Sequence, residues 1–132
     1  TEILFIHVIR AYMLQTKTEK GFLAALTDKP LSRVVTAIHK APGDKWSVEK
    51  LAEHAGMSRS AFAKHFQQVT GMTPMQYVTH WRMQVAYELL RNSKTSVAVV
   101  AEQSGYRTEA SFRKAFKETT GVGPGAVRKK SN

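Results

Sequence analysis

Ser47-Val48-Glu49-Lys50-Leu51-Ala52-Glu53-His54-Ala55-Gly56 returns 49 residues later as Ser96-Val97-Ala98-Val99-Val100-Ala101-Glu102-Gln103-Ser104-Gly105, and this echo decides the fold. Beyond the glycine the match resumes one step out of phase. Phe62, Lys64, Phe66, Thr70, Gly71 and Pro74 recur as Phe112, Lys114, Phe116, Thr120, Gly121 and Pro124, at an offset of 50. A match of this length with a single slip at a turn marks a duplicated structural unit, and internal repeats dictate architecture before any weaker signal.

The first copy is written in helical code. The Ser47 hydroxyl can accept from an early backbone N–H and cap a helix. Val48, Leu51, Ala52 and Ala55 then form one apolar stripe at helical period. Gly56 suits the left-handed conformation that ends a helix. Met57 turns inward, Ser58 caps the next helix, and Phe62, Phe66 and Val69 face the same core before Gly71 stops it. Helix, glycine turn and second helix make a helix-turn-helix. The expected fold is all-α: two such units, at about 47–71 and 96–121, joined by a long central helix and preceded by N-terminal helices.

With the phenylalanines facing inward, the second helix of each copy turns a definite set of residues outward. In the first these are Ser60, Ala63, Lys64 and Gln67; in the second, Ala110, Arg113, Lys114 and Lys117. A merely solvated helix mixes in acidic residues, yet these eight positions hold none. Small side chains near the helix start permit close approach. Long donors behind them reach guanine O6/N7, adenine N6/N7 or phosphate.

Charge points the same way. Twenty Lys and Arg face ten Asp and Glu, a net charge of +10, of which +7 falls in residues 46–132. Such a chain seeks a polyanion, and counterion release from DNA would supply much of its affinity. Nothing reaches the roughly 18 apolar residues of a spanning helix, so no membrane partner is expected. The absence of cysteine excludes disulfides, thiolate metal sites and cysteine nucleophiles, and is compatible with the cytoplasm. The five histidines lack metal-ligand spacing. No glycine-rich phosphate loop or nucleophile elbow is present. No catalytic residue, metal or cofactor is therefore assigned, and the protein is not expected to be an enzyme.

Thr73-Pro74-Met75-Gln76 reads as a capping box with proline at the first helical position. From Pro74 no breaker occurs before about Asn92, a length of roughly 28 Å at 1.5 Å per residue. That is close to the roughly 34 Å of one DNA turn. Tyr77, Val78, Trp81, Val85, Tyr87, Leu89 and Leu90 give this helix apolar contacts on more than one side.

Residues 46–130 also resemble the DNA-binding domain of the AraC/XylS transcription factors. The resemblance is carried by the paired units and by Arg82, Ala86, Leu89 and Leu90 of the connecting helix. It is carried most specifically by Ala101-Glu102, Gly105-Tyr106, Ser111-Phe112, Phe116-Lys117, Thr120-Gly121 and Pro124. It implies a seven-helix fold, a non-palindromic duplex operator read through two adjacent major-groove segments, and control of transcription, with RNA polymerase as a further partner. The base-contacting positions it implies are Ser60, Ala63 and Lys64, then Glu109, Ala110, Arg113 and Lys114. Glu109 comes from the resemblance alone. Where the family has an aromatic before the arginine that follows Pro124, this chain has Val127.

The first 45 residues differ in kind. Ile3 to Leu14 reads as a dense apolar helix, with shorter helices expected at Gly21–Leu26 and Pro30–Ile38. We expect 1–28 to be the tail of a regulatory or dimerisation region, 29–132 to be the DNA-binding domain, and the first helix to support a homodimer. Deleting residues 1–27 is expected to leave the domain folded. The alternative reading is a protein-interaction or dimerisation module of a larger regulator.

Overall fold

Helix starts in this protein are set by side-chain oxygens. The computed structural model describes residues 19–131, which are helical and joined by short turns, with no strand among them. After a helical stretch at 19–26 come α1 (Lys29–Lys40), α2 (Val48–Ala55), α3 (Arg59–Thr70), α4 (Pro74–Asn92), α5 (Val97–Gln103), α6 (Glu109–Thr120) and α7 (Pro124–Ser131). Asp28, Ser47, Ser58, Ser96 and Thr108 each accept a hydrogen bond from a first-turn backbone N–H of the helix that follows. The Thr73 box closes reciprocally, Thr73 N donating to Gln76 Oε1 at 3.0 Å and Gln76 N to Thr73 Oγ1 at 3.2 Å. Each cap satisfies a donor the helix cannot, worth about 1 kcal/mol.

The described chain divides between Trp81 and Arg82 into two compact units. In the first, Leu31, Val34, Val35 and Ile38 of α1 meet Leu51 of α2, Phe62 and Phe66 of α3, and Tyr77 and Val78 of α4, all fully buried. In the second, Val100 of α5, Phe112 and Phe116 of α6 and Val127 of α7 enclose Met83, Ala86 and Leu90 of α4. Each half of α4 therefore serves one core. Val127 is only 2% exposed. Arg128 beside it donates from Nη2 to the Ser93 carbonyl at 3.1 Å.

The repeat is obeyed down to single hydrogen bonds. Gly56 and Gly105 both take positive φ, 69° and 86°, as C-terminal turns require. Met57 N donates to Ala52 O and Tyr106 N to Ala101 O, still 49 apart, whereas the caps Ser58 and Thr108 stand 50 apart. The inserted residue is thus Arg107, an exposed side chain in the turn. At the far ends Thr70 and Thr120 each donate to the carbonyl four residues back, at 2.8 Å in both.

The apolar helix expected at Ile3–Leu14 lies outside the described residues. The stretch 19–26 does not stand apart: Ala25 is fully buried in the first core, and Phe22 packs against it. Phe22 stacks on His39 with ring centroids 4.7 Å apart, and His39 stacks on Trp81 at 3.6 Å. Deletion through residue 27 therefore removes Ala25 and Phe22 from that core. It should cost on the order of 2 kcal/mol, read as a lower melting temperature than a deletion ending at residue 18.

His39 gives the first unit a pH dependence. Burial lowers its pKa from 6.5 to about 4. Burial likewise raises that of Tyr77, so the tyrosine keeps its proton and donates across 2.6 Å to His39 Nε2. Below pH 6.5 the unfolded chain binds a proton at this histidine that the folded chain refuses until about pH 4. Stability is therefore lost as pH falls through that window. Melts of the protein and of a His39→Phe variant should converge in slope above it and diverge within it.

Candidate nucleic-acid interface

Both recognition helices owe their orientation to two rings. Phe62 and Phe66 on α3, and Phe112 and Phe116 on α6, are fully buried, with ring centroids 5.7 Å and 5.6 Å apart within each pair. Fixing those positions turns the opposite side of each helix to solvent.

On α3, Ser60, Lys64 and Gln67 are exposed and Ala63 is half-buried. Ala63, Lys64 and Gln67 line an open groove of about 480 Å3 together with Val48, Thr73, Pro74 and Met75. Two neighbours of this face are already engaged. Arg59 pairs with Glu49 at 2.9 Å across exposed surface, and His65 Nε2 meets Asp28 Oδ2 at 2.5 Å. Asp28 is also the cap of α1, through Oδ1 to Leu31 N, so the flank of α3 is tied to that helix start.

On α6, Glu109, Ala110, Arg113, Lys114 and Lys117 are all exposed. Arg113 Nε donates to Glu109 Oε2 at 2.8 Å, one turn apart. A surface pair of this spacing is worth only about 0.3–0.5 kcal/mol. Its consequence is positional: the guanidinium keeps both terminal nitrogens available while its stem is held. Glu109 in the first turn and Lys117 in the last also suit the helix dipole.

Each helix thus gathers its own assigned residues onto one side. Sequence reasoning passed over two exposed arginines at the helix starts, Arg59 and Arg107. The one-residue slip of the repeat points to an insertion in this turn, and the backbone hydrogen bonds of Met57 and Tyr106 identify it as Arg107. Lys50 is a counter-example among exposed cations, being held by Asp44 at 2.9 Å and lying 5.0 Å from the centre of the Trp46 ring. Among the described residues no three His, Asp or Glu side chains stand together as a metal site, and no helix is long and apolar enough to cross a membrane.

Comparison with known proteins places this arrangement. A helix-turn-helix domain family model matches residues 51–130. An HTH-type regulator of Haemophilus influenzae is 40% identical over 129 residues, 98% of this chain and 43% of that protein. The RCS-specific HTH-type transcriptional activator RclR of Escherichia coli K12 is 38% identical over 126 residues, 96% of this chain and 44% of that protein. The chain accordingly spans under half the length of these relatives. Among solved structures, the DNA-binding domain of AdpA in complex with a target DNA superposes with a TM-score of 0.73 at 35% identity, covering 76% of this chain and 91% of that one. The C-terminal domain of AraT, a response regulator from Geobacillus stearothermophilus, matches with a TM-score of 0.71 at 29% identity, over 75% and 83% of the two chains.

Proposed function

Because the chain belongs to the AraC/XylS family of helix-turn-helix transcription regulators, we propose that it binds an asymmetric duplex operator, each recognition helix reading its own stretch of major groove. The observation that carries this is the pair of non-identical outward faces on an otherwise repeated frame. One face offers Ser60, Ala63, Lys64 and Gln67; the other offers Glu109, Ala110, Arg113, Lys114 and Lys117. Two units with the same frame and different surfaces read different bases, so the site lacks a dyad. The AdpA domain, similar to this chain, was solved on its target DNA.

Roles follow from reach and charge. Ser60 and Ala110 let the backbone approach the groove floor. Arg113 presents a fork to guanine, with Glu109 steadying it. Lys64, Lys114 and Lys117 neutralise phosphates. Replacing Lys117 with alanine should weaken binding to all sequences alike and flatten the salt slope by about one unit, measured by gel shift from low to high salt. Selection from a random duplex library tests the whole reading. The expected result is a site with two unlike determinants about one helical turn apart. Recovery of a perfect palindrome with the second unit dispensable would refute it.

In this reading residues 29–132 carry the DNA-binding elements, the stretch 19–26 packs on their first core, and the residues before it join the domain to a regulatory region. The protein works in the cytoplasm without catalysis or a cofactor, and acts on RNA polymerase at a promoter. Leu23 and Leu26, 61% and 45% exposed, support a contact made by the N-terminal stretch. We assign that contact to a homodimer, and light-scattering mass decides it.

A further inference from the structure

The two recognition faces differ in chemistry, and we infer that they demand different base pairs: the first helix an A·T pair through its thymine methyl, the second a guanine. This inference rests on both helices entering the major groove. At an offset of 50, Lys64 and Lys114 coincide, but Ala63 stands where the second helix has Arg113, and Gln67 where it has Lys117.

The substitution at Ala63 is more than a deletion of charge. Its small side chain leaves open the groove of about 480 Å3 that Val48, Pro74 and Met75 also line, with Gln67 and Lys64 among the same lining residues. Val48 and Met75 are half-buried and Pro74 is buried, so this is built apolar surface of the packed unit, and Gln67 and Lys64 beside it are exposed. In the major groove an A·T pair offers a C5 methyl on thymine and an acceptor–donor pair, N7 and N6, on adenine. Apolar surface accepts the methyl, and a glutamine amide matches N6 and N7. A G·C pair would leave that apolar surface against the cytosine edge, which has no methyl. Lys64 then serves phosphate.

The second face has the opposite endowment. Arg113 is held through Nε by Glu109 at 2.8 Å. Its two terminal nitrogens remain for guanine O6 and N7, the commonest specific contact in the major groove. Glu109 acts here as a positioning residue.

The experiment uses the full chain and a duplex it selects from a random library. Positions whose preference relaxes in Arg113→Ala belong to the second helix, and the remaining determinant to the first. Replacing single thymines of the first segment by deoxyuridine removes only the methyl and should weaken binding about three- to tenfold. The same replacement in the second segment should change little. Replacing guanine by 7-deazaguanine in the second segment should weaken binding about tenfold or more. Ala63→Arg should move the preferred base of the first segment from A·T toward guanine. Unchanged affinity for every deoxyuridine duplex, with selection otherwise intact, overturns the inference while leaving the duplex-binding function standing. Failure to recover any selected duplex overturns that function itself.

Discussion

Phe116→Ala is expected to unfold the second unit although it changes no outward residue of α6. The ring is fully buried, lies 5.6 Å from Phe112, and shares its core with Met83, Ala86, Leu90 and Val127. Truncating a buried Phe removes its transfer energy and leaves a cavity, about 3–5 kcal/mol together. Small domains hold only about 5–15 kcal/mol in total. The melting temperature should fall by more than about 12 °C, followed by circular dichroism. DNA binding should disappear with the fold and return on cooling a sample that refolds. Phe116→Leu should cost far less, because it refills most of the volume. A variant with an unchanged melting temperature and no DNA binding would mean that the ring touches DNA.

Arg113→Ala should be the costliest change among the outward residues. A bidentate arginine–guanine contact is worth about 1–3 kcal/mol, or roughly five- to 150-fold in affinity for the selected operator. Binding to a scrambled duplex should fall much less, since phosphate contacts dominate there. Arg113→Lys should not restore specificity: lysine lacks both the fork and the Nε that Glu109 holds. The measurement is the ratio of Kd values for operator and scrambled duplex at fixed salt. Equal losses on both would reassign Arg113 to a phosphate.

What was legible in the sequence was what depends on neighbours along the chain. Caps at Ser47, Ser58 and Thr73, and the left-handed Gly56 and Gly71, act within four or five residues, so spacing alone exposes them. The Phe62 and Phe66 stripe likewise set which side of α3 faces outward. The slip in the repeat was visible as well, but its location at Arg107 needed the hydrogen bonds of Met57 and Tyr106. Long-range packing was not legible. Phe22 meeting His39, His39 meeting Trp81, Asp28 meeting His65, and Met83 turning into the second core join residues whose spacing carries no periodic signal. The Glu109–Arg113 bond follows the i,i+4 rule. The resemblance marks Glu109 as a base reader, which hides its part as a brace.

α3 and α6 are both twelve residues long, each entered from a hydroxyl cap and left through Thr-Gly, with buried rings at the fourth and eighth positions. That makes them interchangeable cassettes. The rings and the Thr-Gly exit that seat each helix occupy the same places in both, whereas His65, tied to Asp28, and Val69, packed on the first core, are anchors of α3 that α6 replaces with Ala115 and Thr119. Residues 109–120 grafted in place of 59–70 should find the same socket, yielding a protein that asks for one word twice. A lineage carrying such parts can rewrite its vocabulary at the outward positions while the buried rings stay as they are.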